Sequence, residues 1–306
     1  MHIASTILMI RPAAFSFNAE TAANNFFQNA NDSLSQDELQ KKVLLEFDNM
    51  VQTLVSHDIE VLVIEDTPEP AKPDAIFPNN WFCTFPSGMI SVFPMFAPSR
   101  RTEKRDDILQ WITENFRASG LNDWSEYEAE GRFLEGTGSM VIDHDNKIIY
   151  ACLSERTDIS VLEKFASSTG YNAITFKATD KHGRPVYHTN VMMCLGDRFA
   201  VICEDAIADE MERIAVTQLL ESTGHDIITI SLEQMHAFAG NMLLLLNMHS
   251  DRFLVMSQTA WDSLNKEQRM QLDLFAKPLP IAVPTIEQVE GGSVRCMMAE
   301  IFLEGK

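Results

Sequence analysis

Hydrophobic and polar positions alternate along the chain in two rhythms, one helical and one extended, and the two recur in a fixed order. Residues 4–11 read as a strand. The span 12–35 is irregular and rich in Asn and Ala. It is long for a structureless loop, so a lid or wrapping segment is expected there. Ser35-Gln36-Asp37-Glu38 opens a helix with a cap and an acidic first turn, and Leu39, Val43, Leu44, Phe47, Met50, Val51 and Leu54 follow at helical spacing. Residues 60–64 read as the next strand.

From there one theme repeats: apolar strand, tight turn, second apolar strand, helix, strand. The first copy predicts strands at 80–85 and 89–95 around the turn Pro86-Ser87-Gly88, then a helix at 101–119. The second predicts strands at 139–142 and 148–152, a helix at 158–168 and a strand at 173–176. The third predicts strands at 190–195 and 199–203, a helix at 206–223 and a strand at 227–230. The fourth predicts strands at 241–246 and 253–256, a helix at 260–275 and a strand at 281–283. Turn residues such as Gly196-Asp197 and His249-Ser250-Asp251 tolerate tight backbone geometry. Asn80, Glu135, His188, Asn241 and Cys296 stand at equivalent points, with separations 135−80 = 55, 188−135 = 53, 241−188 = 53 and 296−241 = 55. So regular a period marks a repeat architecture. The fifth copy, starting at Cys296, runs out of chain after one strand, and the N-terminal strand is free to complete it, which would remove an exposed sheet edge. The predicted fold is an α/β propeller of five ββαβ blades, closed by the N-terminal strand, with residues 1–306 as a single domain.

Composition narrows the function. The chain has 306 residues, 45% of them hydrophobic, enough for a large core. No apolar run approaches the length of a membrane span, and the N-terminus lacks a signal-like block. Five cysteines without metal-like spacing fit a reducing cytoplasm, and no metal or organic cofactor is expected. A formal net charge of −20 argues against nucleic acid and anionic membrane as partners. A small molecule remains the expected partner, and oligomeric state is not readable.

A ring of equivalent units would deliver its anchors to one end of the central axis. The polar residues collected there are Asp74, Asn79, Asn80, Glu135, His188, Asn190 and Cys296. A thiol needs a partnered base or a lowered pKa, and a histidine base needs an acceptor to fix its tautomer. Cys296 as nucleophile, His188 as base and Glu135 as orienting acid fill those roles, and Arg295 stands next to the nucleophile. Cys83, Cys152, Cys194 and Cys203 lie inside strand runs and read as core packing.

The pattern resembles the guanidino-group-modifying enzymes: arginine deiminases, dimethylarginine dimethylaminohydrolases and amidinotransferases, which share the pentein fold. Pro73-Asp74-Ala75-Ile76-Phe77, Leu134-Glu135-Gly136, Pro98-Ser99-Arg100-Arg101, Ser154-Glu155-Arg156-Thr157, His188-Thr189-Asn190 and the C-terminal Cys296 stand in the family's order. The Phe77-Pro78-Asn79-Asn80-Trp81 stretch looks closest to the citrulline-utilisation hydrolases. The resemblance implies that Arg100 and Arg156 hold the substrate carboxylate and that Asp74 takes its α-amino end. One departure matters: Asn80 and Asn190 stand where the family places aspartates. A carboxylate suits a cationic guanidinium, whereas an amide offers one donor and one acceptor to a neutral ureido group. L-citrulline is therefore the expected substrate, with arginine or a methylarginine as alternatives, an amidinotransferase less so, and a non-catalytic amino-acid-binding propeller as the alternative outside enzymology.

Overall fold

The computed structural model describes residues 2–29 and 34–306. Of the expected lid at 12–35, residues 30–33 lie outside the described residues. The strands are β1 (Thr6–Arg11), β2 (Glu60–Glu65), β3 (Phe82–Thr84), β4 (Met89–Val92), β5 (Gly120–Asp123), β6 (Val141–Asp143), β7 (Ile148–Cys152), β8 (Asn172–Phe176), β9 (Met193–Leu195), β10 (Phe199–Ile202), β11 (Asp226–Thr229), β12 (Leu243–Leu246), β13 (Arg252–Ser257), β14 (Lys277–Ile281) and β15 (Ala299–Ile301).

They form five three-stranded sheets of one pattern: β3-β4-β5, β6-β7-β8, β9-β10-β11, β12-β13-β14 and β15-β1-β2. In each, the first strand runs antiparallel to the second and the second parallel to the third, as in Val141↔Tyr150 and Tyr150↔Ile174. A tight turn makes the antiparallel pair, and the parallel pair needs a helical crossover. The fifth sheet draws on both chain ends. Thr6 pairs with Ile301 of β15 on one side and with Glu60 of β2 on the other.

Middle strands such as β7 and β10 are wholly buried and read as apolar runs, whereas the third strands carry polar exposed positions. The helix Gln36–Ser56 starts at Ser35, whose side chain and Glu38 form a capping box, and it buries Leu39, Val43, Phe47, Met50 and Leu54. Those residues pack with Ile7, Met9, Val294 and Cys296 in one core cluster, so the nucleophile candidate rests on the same apolar layer that seats the N-terminal strand.

Three expected helices are broken. Residues 101–119 form a short helix Pro98–Arg101 and a second, Asp106–Asn115, followed by β5, which the pattern did not predict. Residues 206–223 start as a 3-10 turn, Glu204–Ala206, and the helix proper is Glu210–Ser222 behind the cap Asp209. Residues 260–275 divide into Gln258–Ser263 and Lys266–Asp273, restarted by the capping box of Asn265 and Gln268. In the second and third cases a side-chain cap inside the apolar rhythm ended one helix and began the next. The last strand of the fourth unit is β14 rather than 281–283. Its Pro278 and Pro280 hid it, and they are tolerated because β14 is an edge strand.

The strand starts also shift, and this shift creates the site. Asn80, Glu135, His188 and Cys296 are not strand residues. They sit in or at the cap of short helical turns, Pro78–Asn80, Gly136–Ser139, Thr189–Met192 and Val294–Met297, each just ahead of the first strand of its sheet. A helix that the pattern did not predict, Pro284–Glu290, leads into the last of these turns.

Candidate active site

The turns converge on a small cavity whose walls include Cys296, His188, Asn80, Asp74, Arg100 and Arg156. Close packing of the turns depends on glycine. A Cβ on Gly138 would fall 2.4 Å from Asn80 Nδ2 and 2.8 Å from the His188 ring. Gly291, at φ +60, lets the chain turn just before Cys296, where a Cβ would meet Gln28 N at 2.7 Å.

His188 and Glu135, expected as base and orienting acid, lie in contact, with His188 Nε2 2.8 Å from Glu135 Oε2. Because an ionised carboxylate only accepts, Nε2 carries the proton and Nδ1 keeps its lone pair. Glu135 is fully buried, and its other oxygen accepts from Phe96 N at 2.9 Å. Burial alone would raise its pKa. Arg156 at 3.6 Å, the bond from His188 and Arg100 at 3.9 Å overcome burial and hold it near about 2. Burial pushes His188 down to about 4 against the pull of Glu135, so the resting imidazole is neutral at pH 7.

Cys296 is buried, and its sulfur faces two amides. Asn241 Nδ2 lies at 3.3 Å and Asn190 Nδ2 at 3.8 Å. Asn241 is oriented by its own oxygen, which accepts from Arg295 N at 3.1 Å, so an N–H points at sulfur. Sequence reasoning counted Asn241 as an anchor yet gave it no role; its place in the period was the available signal. Arg295, by contrast, directs its guanidinium to Met298 O and to Glu300, each at 2.8 Å.

The remaining expected residues separate by place. Asn80 Oδ1 accepts from Arg100 Nη1 at 2.8 Å, which leaves its Nδ2 buried with no partner among the described residues. Asn190 stands behind Cys296 and its Oδ1 is likewise unpaired. Asn79 packs away from the cavity, donating to Thr137 Oγ1 at 3.2 Å. Arg100 lines the cavity, but its fork is held by Glu103 in two bonds of 2.9 Å, and Glu103 and Asp74 keep it charged against the cost of burial. Arg156 is clasped by Asn24 Oδ1 at 2.8 and 2.6 Å and by Thr21 O at 3.0 Å.

Those last partners belong to the span expected to be a lid, and the described part of it does cover the cavity, with Thr21, Asn25 and Gln28 in its walls. It is fastened by a residue with no assigned role, Glu290, which accepts from Asn18 N at 3.0 Å and Gln28 Nε2 at 2.6 Å. Asn18 Nδ2 donates to Asp74 at 2.6 Å. The sequence signal for Glu290 was only its nearness to Cys296.

Five repeated sheets, a thiol, an imidazole–carboxylate pair and two guanidiniums around one small cavity define a member of the guanidino-group-modifying pentein superfamily. The chain belongs to the eukaryotic N,N dimethylarginine dimethylhydrolase family, whose model matches residues 11–303. No curated protein sequence matches it. Among solved structures it is similar to the N-terminal domain of ArgZ, an asparagine-to-serine variant covalently bound to a reaction intermediate, with TM-score 0.75, 14% identity, 96% of this chain and 97% of that one covered. Full-length ArgZ, an arginine dihydrolase from the ornithine-ammonia cycle in cyanobacteria, aligns with TM-score 0.75 at 15% identity over 96% of this chain and 40% of its own. DDAH from Pseudomonas aeruginosa, a cysteine-to-serine mutant complexed with citrulline, aligns with TM-score 0.67 at 14% identity over 98% and 100%.

Proposed function

We propose that this protein is a cysteine-dependent hydrolase of ureido amino acids that converts L-citrulline and water to ornithine, ammonia and carbon dioxide. The observation that carries the reading is the unpaired Asn80 Nδ2. Arg100 fixes the amide so that its donor end is free. A guanidinium offers only N–H groups and cannot satisfy a donor, whereas a ureido carbonyl oxygen can. Asn190 lies outside the cavity's walls and keeps its amide toward the Cys296 sulfur, so Asn80 carries this reading alone. A charged guanidinium against the Asn80 amide would also lack there the carboxylate that such a group needs when buried.

In the mechanism, the Cys296 thiol gives its proton to His188 and its sulfur attacks the ureido carbon. Glu135 stabilises the imidazolium, which then protonates the departing amine and leaves a thiocarbamoyl enzyme. Neutral His188 next draws a proton from water, which attacks the same carbon and frees Cys296. The carbamate so formed decomposes to carbon dioxide and ammonia. Such proton transfer contributes on the order of 10²–10⁴ in rate. Asp74 and the lid face the α-amino end, and Arg156 is the guanidinium nearest to lid and catalytic pair together.

The reading includes a closed five-bladed propeller confined to one domain. The β1–β15 pairing and the bond from Leu246 N to Ala4 O at 2.9 Å support it. No described helix is long and apolar enough to cross a membrane, in keeping with a cytoplasmic enzyme. A second reading, hydrolysis of arginine itself, draws on the likeness to the arginine dihydrolase ArgZ. Assaying citrulline, arginine and dimethylarginine side by side separates them. The proposal expects the highest kcat/KM with citrulline, and faster turnover of arginine would reject it.

A further inference from the structure

Cys296 follows two adjacent glycines, Gly291 and Gly292, the residue type least able to hold a fixed backbone by itself. The helix Pro284–Glu290 ends at Gly291, whose N–H returns to Glu287 O at 3.0 Å. The turn Val294–Met297 begins just beyond, so the place of the Cys296 sulfur depends on what holds this hinge. His188 belongs to a different repeat. Its ring bonds to Glu135 and, among the described residues, makes no hydrogen bond to Cys296. Its chain neighbour Tyr187 reaches across instead. Tyr187 is buried, and its hydroxyl donates to Gly291 O at 2.7 Å. The same ring lies against the His188 imidazole, with centroids 4.8 Å apart, and against the Arg156 guanidinium, whose Cζ is 4.9 Å from the ring centroid. The Tyr187 carbonyl accepts from Ser154 Oγ at 2.8 Å, and Phe27 of the lid meets the ring edge-on at 6.0 Å. One side chain, fixed from several directions, therefore touches both His188 and the hinge that carries Cys296.

We infer that Tyr187 is a positioning residue for the proposed reaction: its hydroxyl holds the Gly291–Gly292 hinge, and with it the Cys296 sulfur, in register with His188. The inference rests on the reading that Cys296 and His188 act together as nucleophile and base. Transfer of the thiol proton to the imidazole depends on close placement of the two groups, and a displacement of about 1 Å costs on the order of a hundredfold in rate. Without the hydroxyl, the buried Gly291 carbonyl loses its partner and the hinge loses its bond to the repeat that carries His188. Tyr187 acts through the hinge and the substrate contacts stay in place, so its hydroxyl bears on the chemical step rather than on binding.

Tyr187→Phe tests this, because it keeps the ring against His188 and Arg156 and removes only the hydroxyl. With citrulline, kcat is expected to fall at least about tenfold while KM stays within about twofold of wild type. Alkylation by iodoacetamide reads the same geometry without turnover. The Cys296 sulfur forms a bond to the acetamide carbon, iodide leaves, and the thiol proton passes to His188. In Tyr187→Phe the Cys296 adduct, followed by peptide mass spectrometry, should form at least about tenfold more slowly. A bond that served the fold alone would lower the melting temperature of the variant and leave both rates of the folded protein as they are. An unchanged kcat or an unchanged alkylation rate in folded Tyr187→Phe therefore overturns the inference. Slower alkylation of the variant without citrulline hydrolysis by wild type counts against the proposed function alone, and hydrolysis by wild type with alkylation unchanged in the variant counts against Tyr187 alone.

Discussion

On the proposed function, Asn80 is the residue on which substrate choice turns. Its oxygen is committed to Arg100, so the cavity is offered a donor. Asn80→Asp would convert that donor into an acceptor. It should reduce kcat/KM for citrulline by at least about a hundredfold, as sites that hydrogen-bond a substrate lose most when the pairing is broken. An unchanged citrulline rate would remove Asn80 from the account. Glu135→Gln keeps the shape of the His188 partner but not its charge, and kcat should fall roughly 10²–10⁴-fold. The same variant reports on pH. The Glu135 carboxyl is held near about 2 in the fold, below its ordinary 4.5, so it stabilises the protein above pH 4.5 and that stability is lost as pH falls toward 2. The gap in unfolding free energy between wild type and Glu135→Gln, read by denaturant titration, should be widest at neutral pH, on the order of 3 kcal/mol, and close under acid. A gap that widens on acidification would contradict the assignment.

At the scale of elements, the anchor turns and the lid make the site. The period of the anchors was legible because each repeat must place one residue at the same corner, and Cys296, His188 and Asn80 do line one cavity. Their local conformation was not legible: turns such as Thr189–Met192 are built from the same apolar residues as the strands they enter. Nor was the fate of the arginines, since sequence shows a cation but not that Glu103, three residues on, occupies the fork of Arg100. Lid contacts were hidden because they join positions as distant as Asn18 and Glu290. Asn18 donates through its side chain to Asp74 and Ser99. Asn18→Ala removes both bonds, so amide hydrogens of residues 18–28 should exchange at least about tenfold faster while those of β7 and β10 stay protected. Uniform protection across the lid would show that it is held by something else.

At the scale of the molecule, one sheet is made from the two ends of the chain, and β15 follows the Cys296 turn directly. Truncating the N-terminal strand should therefore disturb the Cys296 turn, although the two lie far apart in sequence. The other cysteines belong to the core: burial pushes Cys152, Cys194 and Cys203 up to about 12 and Cys83 well above its ordinary value. Iodoacetamide at neutral pH should therefore modify Cys296 first, and ornithine should protect it. The most direct test of the whole account is ornithine release from L-citrulline by wild type and by Cys296→Ala. The account predicts steady release by wild type and none above background by the variant; release by Cys296→Ala at a rate near that of wild type would contradict it.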